Sequence, residues 1–265
     1  MQLATPPTMH ELQLTQTIDA PVERVWQACA SLRGLSAWQA DEASGTLEAG
    51  KTIELGWPAL GVQLELEVEA LSERERIVLA ADHARLELLL APGRVTLIHS
   101  GVGSGDELEG VASSWRMSLS ILAHYCERHF GHRRFVRWLT RPAPTSAETA
   151  HVFFTDESAL GNWLGRGGGI GDVGSSFSIE LGGNDQLSGR VIANTPGRDV
   201  AVTWEEDAGS VLCFRTLPLP RTLGQRLIVL SWSRWSDEAP EESRLEKLDA
   251  AHHRLTRALG MSSEA

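Results

Sequence analysis

The chain has 265 residues, with 24 Lys and Arg against 35 Asp and Glu, a formal charge of −11, and it is 42% hydrophobic. That is ordinary for a globular protein of two domains or one large one. The negative balance argues against nucleic acid and anionic membranes as partners, since both need positive potential. Three scattered cysteines form no CxxC pair, and there is neither an uncharged apolar run of transmembrane length nor a basic-then-apolar leader. Buried free thiols and a cytoplasmic setting are therefore the expectation. Nine tryptophans against one tyrosine require large, rigid apolar surfaces.

Met1–His10 reads as a loose tail, with Pro6-Pro7 opposing regular structure. Leu12 and Leu14 alternate with polar residues as a first strand. Asp19-Ala20-Pro21 then opens a helix with Val22, Val25, Trp26 and Cys29 on its apolar side, and Leu35 and Trp38 mark a second helical piece. From Gly45 the period falls to two. Strands are expected over Thr46–Glu48, Lys51–Gly56, Val62–Leu71, Ile77–Ala81, Ala84–Leu90 and Val95–Ser100. The glutamates alternating with Leu64, Leu66 and Val68 fit the wet face of a half-buried strand better than a metal site. Gly101, Gly103 and Gly105 allow a turn. A long helix follows, with Leu108, Val111, Trp115, Leu119, Leu122, Cys126 and Phe130 in one stripe and Ser113, Ser114, Arg116, Ser120 and Glu127 opposite.

Four pieces carry a family resemblance: Thr17-Ile18-Asp19-Ala20-Pro21-Val22-Glu23-Arg24-Val25-Trp26, Leu35-Ser36-Ala37-Trp38, Val95-Thr96-Leu97-Ile98-His99-Ser100-Gly101 and Trp115-Arg116-Met117-Ser118-Leu119. In this order they resemble the SRPBCC (START-like, helix-grip) superfamily, and within it the activator of heat-shock protein 90 ATPase family. The resemblance covers roughly residues 10–130. It implies a curved antiparallel sheet around a long C-terminal helix, with an apolar cavity between them.

The second half reads as a copy. Thr145–Leu164 aligns without gaps on Ala20–Gln39, Ser178–Gly182 echoes Thr52–Gly56, and Val191–Val202 echoes Val68–Leu79. Leu227–Trp232 takes the place of Val95–Ser100, and His252 stands at the Trp115 position. The expected architecture is α+β, two tandem helix-grip modules over 1–134 and 135–265, the second divergent. The first strand of this copy, around Phe135–Ala143, contains Pro142 and is followed by Pro144, so it is expected to be short or absent, with a helix over Arg133–Leu139 as the alternative.

No constellation announces catalysis. Gly169–Gly174 spells GxGxxG, but a helical piece precedes it and a strand follows, the reverse of a dinucleotide site. His124, His129 and His132 lie near a helix end without a completing carboxylate or cysteine, which favours dipole contacts over a metal. No cofactor or metal is expected. The candidate site is the cavity of the first module, walled by Val95, Leu97 and His99 from the strand and Trp115, Leu119 and Leu122 from the helix. Its expected partner is a small hydrophobic molecule, carried or sensed without chemistry and oriented at the rim by His99. His99 could also hold the turn after its strand, and that role has the stronger prior. The alternatives are a cyclase, aromatase or hydrolase using His99 as acid or base, or a protein-interaction module like the chaperone activator. The co-chaperones of that family carry a further N-terminal domain, which the residues before Leu12 are too few to form.

Overall fold

The computed structural model describes residues 9–183, 185–219, 224–238 and 241–262, so the expected tail falls largely outside it. The chain forms two compact units, Met1–His132 and Arg133–Ala265. Among the described residues no helix is long and apolar enough to cross a membrane.

The first unit opens with β1 (His10–Thr17), α1 (Val22–Cys29) and α2 (Leu32–Trp38). Pro21 starts α1, and Ser31 caps α2 by accepting a hydrogen bond from the Gly34 amide at 3.0 Å. A meander follows: β2 (Glu42–Gly45), β3 (Thr52–Trp57), β4 (Val62–Ser72), β5 (Arg76–Ala81), β6 (Ala84–Ala91) and β7 (Arg94–Val102). All seven strands pair antiparallel in the order β1-β7-β6-β5-β4-β3-β2. The strand expected at Thr46–Glu48 lies earlier, over Glu42–Gly45. There the backbone reaches its partner Ile53 before Gly45 turns away at φ +99°.

Gly101 sits at φ +86°, and a Cβ there would lie 2.0 Å from the His83 carbonyl oxygen. Only glycine lets β7 pass the β5–β6 turn this closely. α3 (Asp106–His124) follows, with Asp106, Glu107 and Glu109 at its positive end. It packs on β1, β7 and α2. Its buried arc is therefore wider than one stripe, and Ser113, expected on the wet side, is buried. The helix gives way to a π turn over Tyr125–His129. This buries His124 and His129 with their Nε2 atoms 3.2 Å apart, while His132 is exposed.

The second unit contains β8 (Arg134–Pro144), α4 (Ala147–Thr155), α5 (Glu157–Gly161), β9 (Arg166–Gly167), β10 (Ser176–Gly182), β11 (Asp185–Thr195), β12 (Asp199–Trp204), β13 (Ser210–Pro218), β14 (Gln225–Trp235) and α6 (Glu242–Ser262). Its sheet runs β8-β14-β13-β12-β11-β10-β9, again seven strands and antiparallel. β8 corrects two expectations: it is neither short nor helical but an eleven-residue strand paired along its length with β14. It is an edge strand, and Pro142 and Pro144 lie two residues apart, so both missing N–H groups fall on one side of the ladder. Gly169–Gly174 lies between β9 and β10 as irregular chain.

The duplication extends to individual hydrogen bonds. Trp38 Nε1 donates to the Ala28 carbonyl oxygen at 3.1 Å, and Trp163 Nε1 to that of Phe153 at 2.8 Å. Asp156 caps α5 through the Ala159 amide, as Ser31 caps α2. A register shift falls between Val68 and Ala70 and again between Val191 and Ala193. Ile53 faces Gly45 as Ile179 faces Gly167. The expected match of Val95–Ser100 to Leu227–Trp232 is one residue out of step. From the shared register shift the pairings run Leu79–Leu86–His99 in the first sheet and Val202–Leu212–Trp232 in the second, and Leu12 faces His99 where Arg137 faces Trp232. Trp232, not Ser231, therefore stands where His99 stands. The alternation of β14 concealed this, because both of its faces are buried.

Candidate functional site: an apolar cavity in the first unit

The strands of the first sheet present one parity to the helices. Leu55, Leu66, Leu79, Leu88 and Leu97 line a cavity of about 50 Å³. α2 contributes Leu35, Trp38 and Gln39, and α3 contributes Trp115. At the outer end Trp57 and Leu64 form the mouth, where Leu64 is 43% exposed although its alternation with glutamates marked it as an inward residue. Leucine branches converging from five strands cannot all meet, and the void is the gap they leave. It is far below the roughly 300–1,000 Å³ of ordinary ligand pockets, so occupancy requires the walls to part.

One wall residue is held by a polar bond. Trp115 Nε1 donates to His99 Nδ1 at 3.0 Å, the rings edge-to-face with centroids 6.2 Å apart. An indole N–H only donates, so Nδ1 carries the lone pair and the proton of a neutral imidazole sits on Nε2. Burial pushes the His99 pKa below its ordinary value and reinforces the neutral form. His99 pins Trp115, and its remaining N–H is a donor rather than a base.

The second polar feature is Gln39. It is one of the residues around the cavity, and its buried Oε1 finds no hydrogen-bond partner among the described residues. Its backbone oxygen is already used, accepting from Trp57 Nε1 at 3.0 Å. A buried unsatisfied amide oxygen is costly, and a ligand hydroxyl or N–H would relieve it.

Of the six residues expected at the site, Leu97 and Trp115 lie on the cavity wall. Val95, Leu119 and Leu122 are fully buried in the core outside that lining, and His99 stands behind Trp115. The wall from β3 to β6 was readable, because Leu66, Leu79 and Leu88 share the inward parity of Leu97 across the antiparallel register. Gln39 carried no signal beyond following Trp38.

The three thiols are free and buried. Burial pushes Cys126 up to about 12 and Cys213 up to about 11, and raises Cys29 well above its ordinary value. None is an activated nucleophile at neutral pH.

Residues 19–127 match the model of the family described as activator of Hsp90 ATPase homolog 1-like protein. No curated protein matches the sequence. Among solved structures, DynU16 from the dynemicin biosynthetic locus is 16% identical with a TM-score of 0.39, covering 96% of this chain and 97% of its own. The di-domain ARO/CYC protein BexL from the BE-7585A biosynthetic pathway is 13% identical with a TM-score of 0.40, covering 96% and 98%. Aha1 from Colwellia psychrerythraea, solved as a dimer, is 16% identical with a TM-score of 0.39, covering 44% of this chain and 96% of that one. Likeness at this level carries no functional weight.

Proposed function

We propose, from a chain whose residues 19–127 carry the SRPBCC fold of the activator of Hsp90 ATPase homolog 1-like family, that its first unit is a helix-grip module. In this reading it binds a small, mostly apolar molecule bearing one hydrogen-bonding group, without transforming it. The observation that carries the reading is an otherwise apolar lining that includes Gln39, whose buried Oε1 has no hydrogen-bond partner among the described residues. Leucines and tryptophans supply non-directional affinity, and the amide supplies orientation. The cavity widens on binding, with the exposed Leu64 side chain at the mouth as the part free to move.

A binding role without catalysis is favoured by the state of His99. With Nδ1 engaged by Trp115 and burial opposing the cation, it is poorly placed to accept a substrate proton.

The test compares naphthalene with 1-naphthol, the same ring system without and with a hydroxyl. Both should bind the intact protein, and 1-naphthol more tightly. Leu86→Trp, a ring added to the half-buried wall beside His99, should abolish both. Gln39→Leu should weaken 1-naphthol by roughly 1–2 kcal/mol, about one hydrogen bond, and leave naphthalene unchanged. If neither probe binds, or Leu86→Trp binds both as well as the wild type, the reading is wrong.

A further inference from the structure

The second unit holds a larger space than the first. Between α6 and the β10–β11 hairpin lies a groove of about 450 Å³, within the ordinary range of ligand pockets. Two replacements open it. Counted along the sequence from the Ile53–Ile179 match, Gly183 takes the place of Trp57, past a register shift at Glu180–Gly182 that the first hairpin lacks. A Cβ at Gly183 would meet open space. By the Trp38–Trp163 equivalence, Leu164 stands where the first unit has Gln39. The indole that narrows the first mouth and the Gln39 amide are both missing here. The floor is apolar, made by Leu164, Trp204, Leu248 and Ala251, all buried.

The rim is charged, and its cations are not equivalent. Arg244 is spent on Asp207 at 2.5 Å and lies over the Trp204 ring at 4.7 Å. Lys247 pairs with Asp185. Arg254 has no carboxylate partner among the described residues. Its Nε donates to the Trp163 carbonyl oxygen at 2.9 Å, and Trp163 is itself 1% exposed and anchored to Phe153. The guanidinium is thus oriented by a rigid carbonyl while both of its amino groups stay open, the geometry that receives a carboxylate through two parallel bonds. Glu241 at the rim opposes an anion, so this groove selects by the position of Arg254 rather than by bulk positive charge.

We propose that this groove is a second binding site, separate from the first-unit cavity, for an amphiphilic carboxylate. The head group bonds Arg254 and the hydrocarbon chain lies over Ala251 and Leu248 toward Trp204. Residues Arg254, Ala251 and Leu248 follow one another at single-turn spacing along α6, so head and tail sites lie on one helix face.

Calorimetric titration of the full chain with dodecanoate, dodecanol and acetate tests the assignment. Dodecanoate should bind with one site, dodecanol at least roughly tenfold more weakly, as expected for losing a charge-assisted pair, and acetate not measurably. Arg254→Gln should bring dodecanoate down to the affinity of dodecanol and leave dodecanol unchanged. Ala250→Trp, on an exposed groove-lining position of α6, should abolish dodecanoate binding. An unchanged thermal melting curve for both variants excludes unfolding as the cause. Equal affinity for dodecanoate and dodecanol, or dodecanoate binding that survives Ala250→Trp, overturns the proposal. Naphthalene binding that persists in Ala250→Trp separates this site from the first-unit cavity.

Discussion

At the scale of single residues, two histidines show how position decides chemistry. His99 is half-buried: Nδ1 accepts a hydrogen bond from Trp115 Nε1–H, which leaves the proton of the neutral ring on Nε2. His252 is fully buried, with Nε2 3.1 Å from Ile228 O and no partner among the described residues for Nδ1. Burial pushes its pKa down to about 4. A histidine depressed in the folded state binds fewer protons there than in the unfolded chain between about pH 4 and 6.5. Stability is thus complete above about pH 6.5 and falls as pH drops through that window, by up to about 3 kcal/mol for His252 alone. Denaturant titrations at pH 7.5 and 4.5 should show this loss, and His252→Leu should remove most of it. A variant with the wild-type pH dependence would assign the loss elsewhere. Neither role was legible in the sequence. The alternation of β7 put His99 beside Leu97 correctly, but whether it met a ligand or Trp115 depended on a helix sixteen residues away.

At the scale of elements, the strands, the helix pairs and the repeat were legible because their signals are local. Trp38 and Trp163 close the same ten-residue loop onto the preceding helix, and both second helices begin at a side-chain cap. Ser31→Ala and Asp156→Ala should each cost about 1 kcal/mol, the usual loss of an N-cap. A thermal-denaturation comparison with the wild type checks this, and an effect near zero at either site would mean the cap is replaced by water. β8 was misread because proline was weighed as a strand breaker without knowing that the strand lies at an edge. The one-residue offset of β14 escaped notice because a strand buried on both faces has no polar parity to fix its register.

At the scale of the whole molecule, one architecture has been used twice with opposite treatment of its interior. The first unit fills the space between sheet and helix until about 50 Å³ remains, and the second leaves about 450 Å³ open at its hairpin. Cavity size is a sum over many side-chain volumes, which explains why Val95, Leu119 and Leu122 could be assigned inward from their period yet lie in solid core. The exchange of Trp57 for Gly183 was one residue beyond the echoed Thr52–Gly56 segment, within reach of the alignment but without meaning until the groove was seen. The claim most exposed to failure is that the first unit takes up a small apolar molecule. Native mass spectrometry of freshly purified protein, compared with Leu86→Trp, tests it most directly. The wild type should carry a bound small organic molecule, released by organic solvent and missing from the variant. Identical spectra, both bare or both carrying the same adduct, would contradict it.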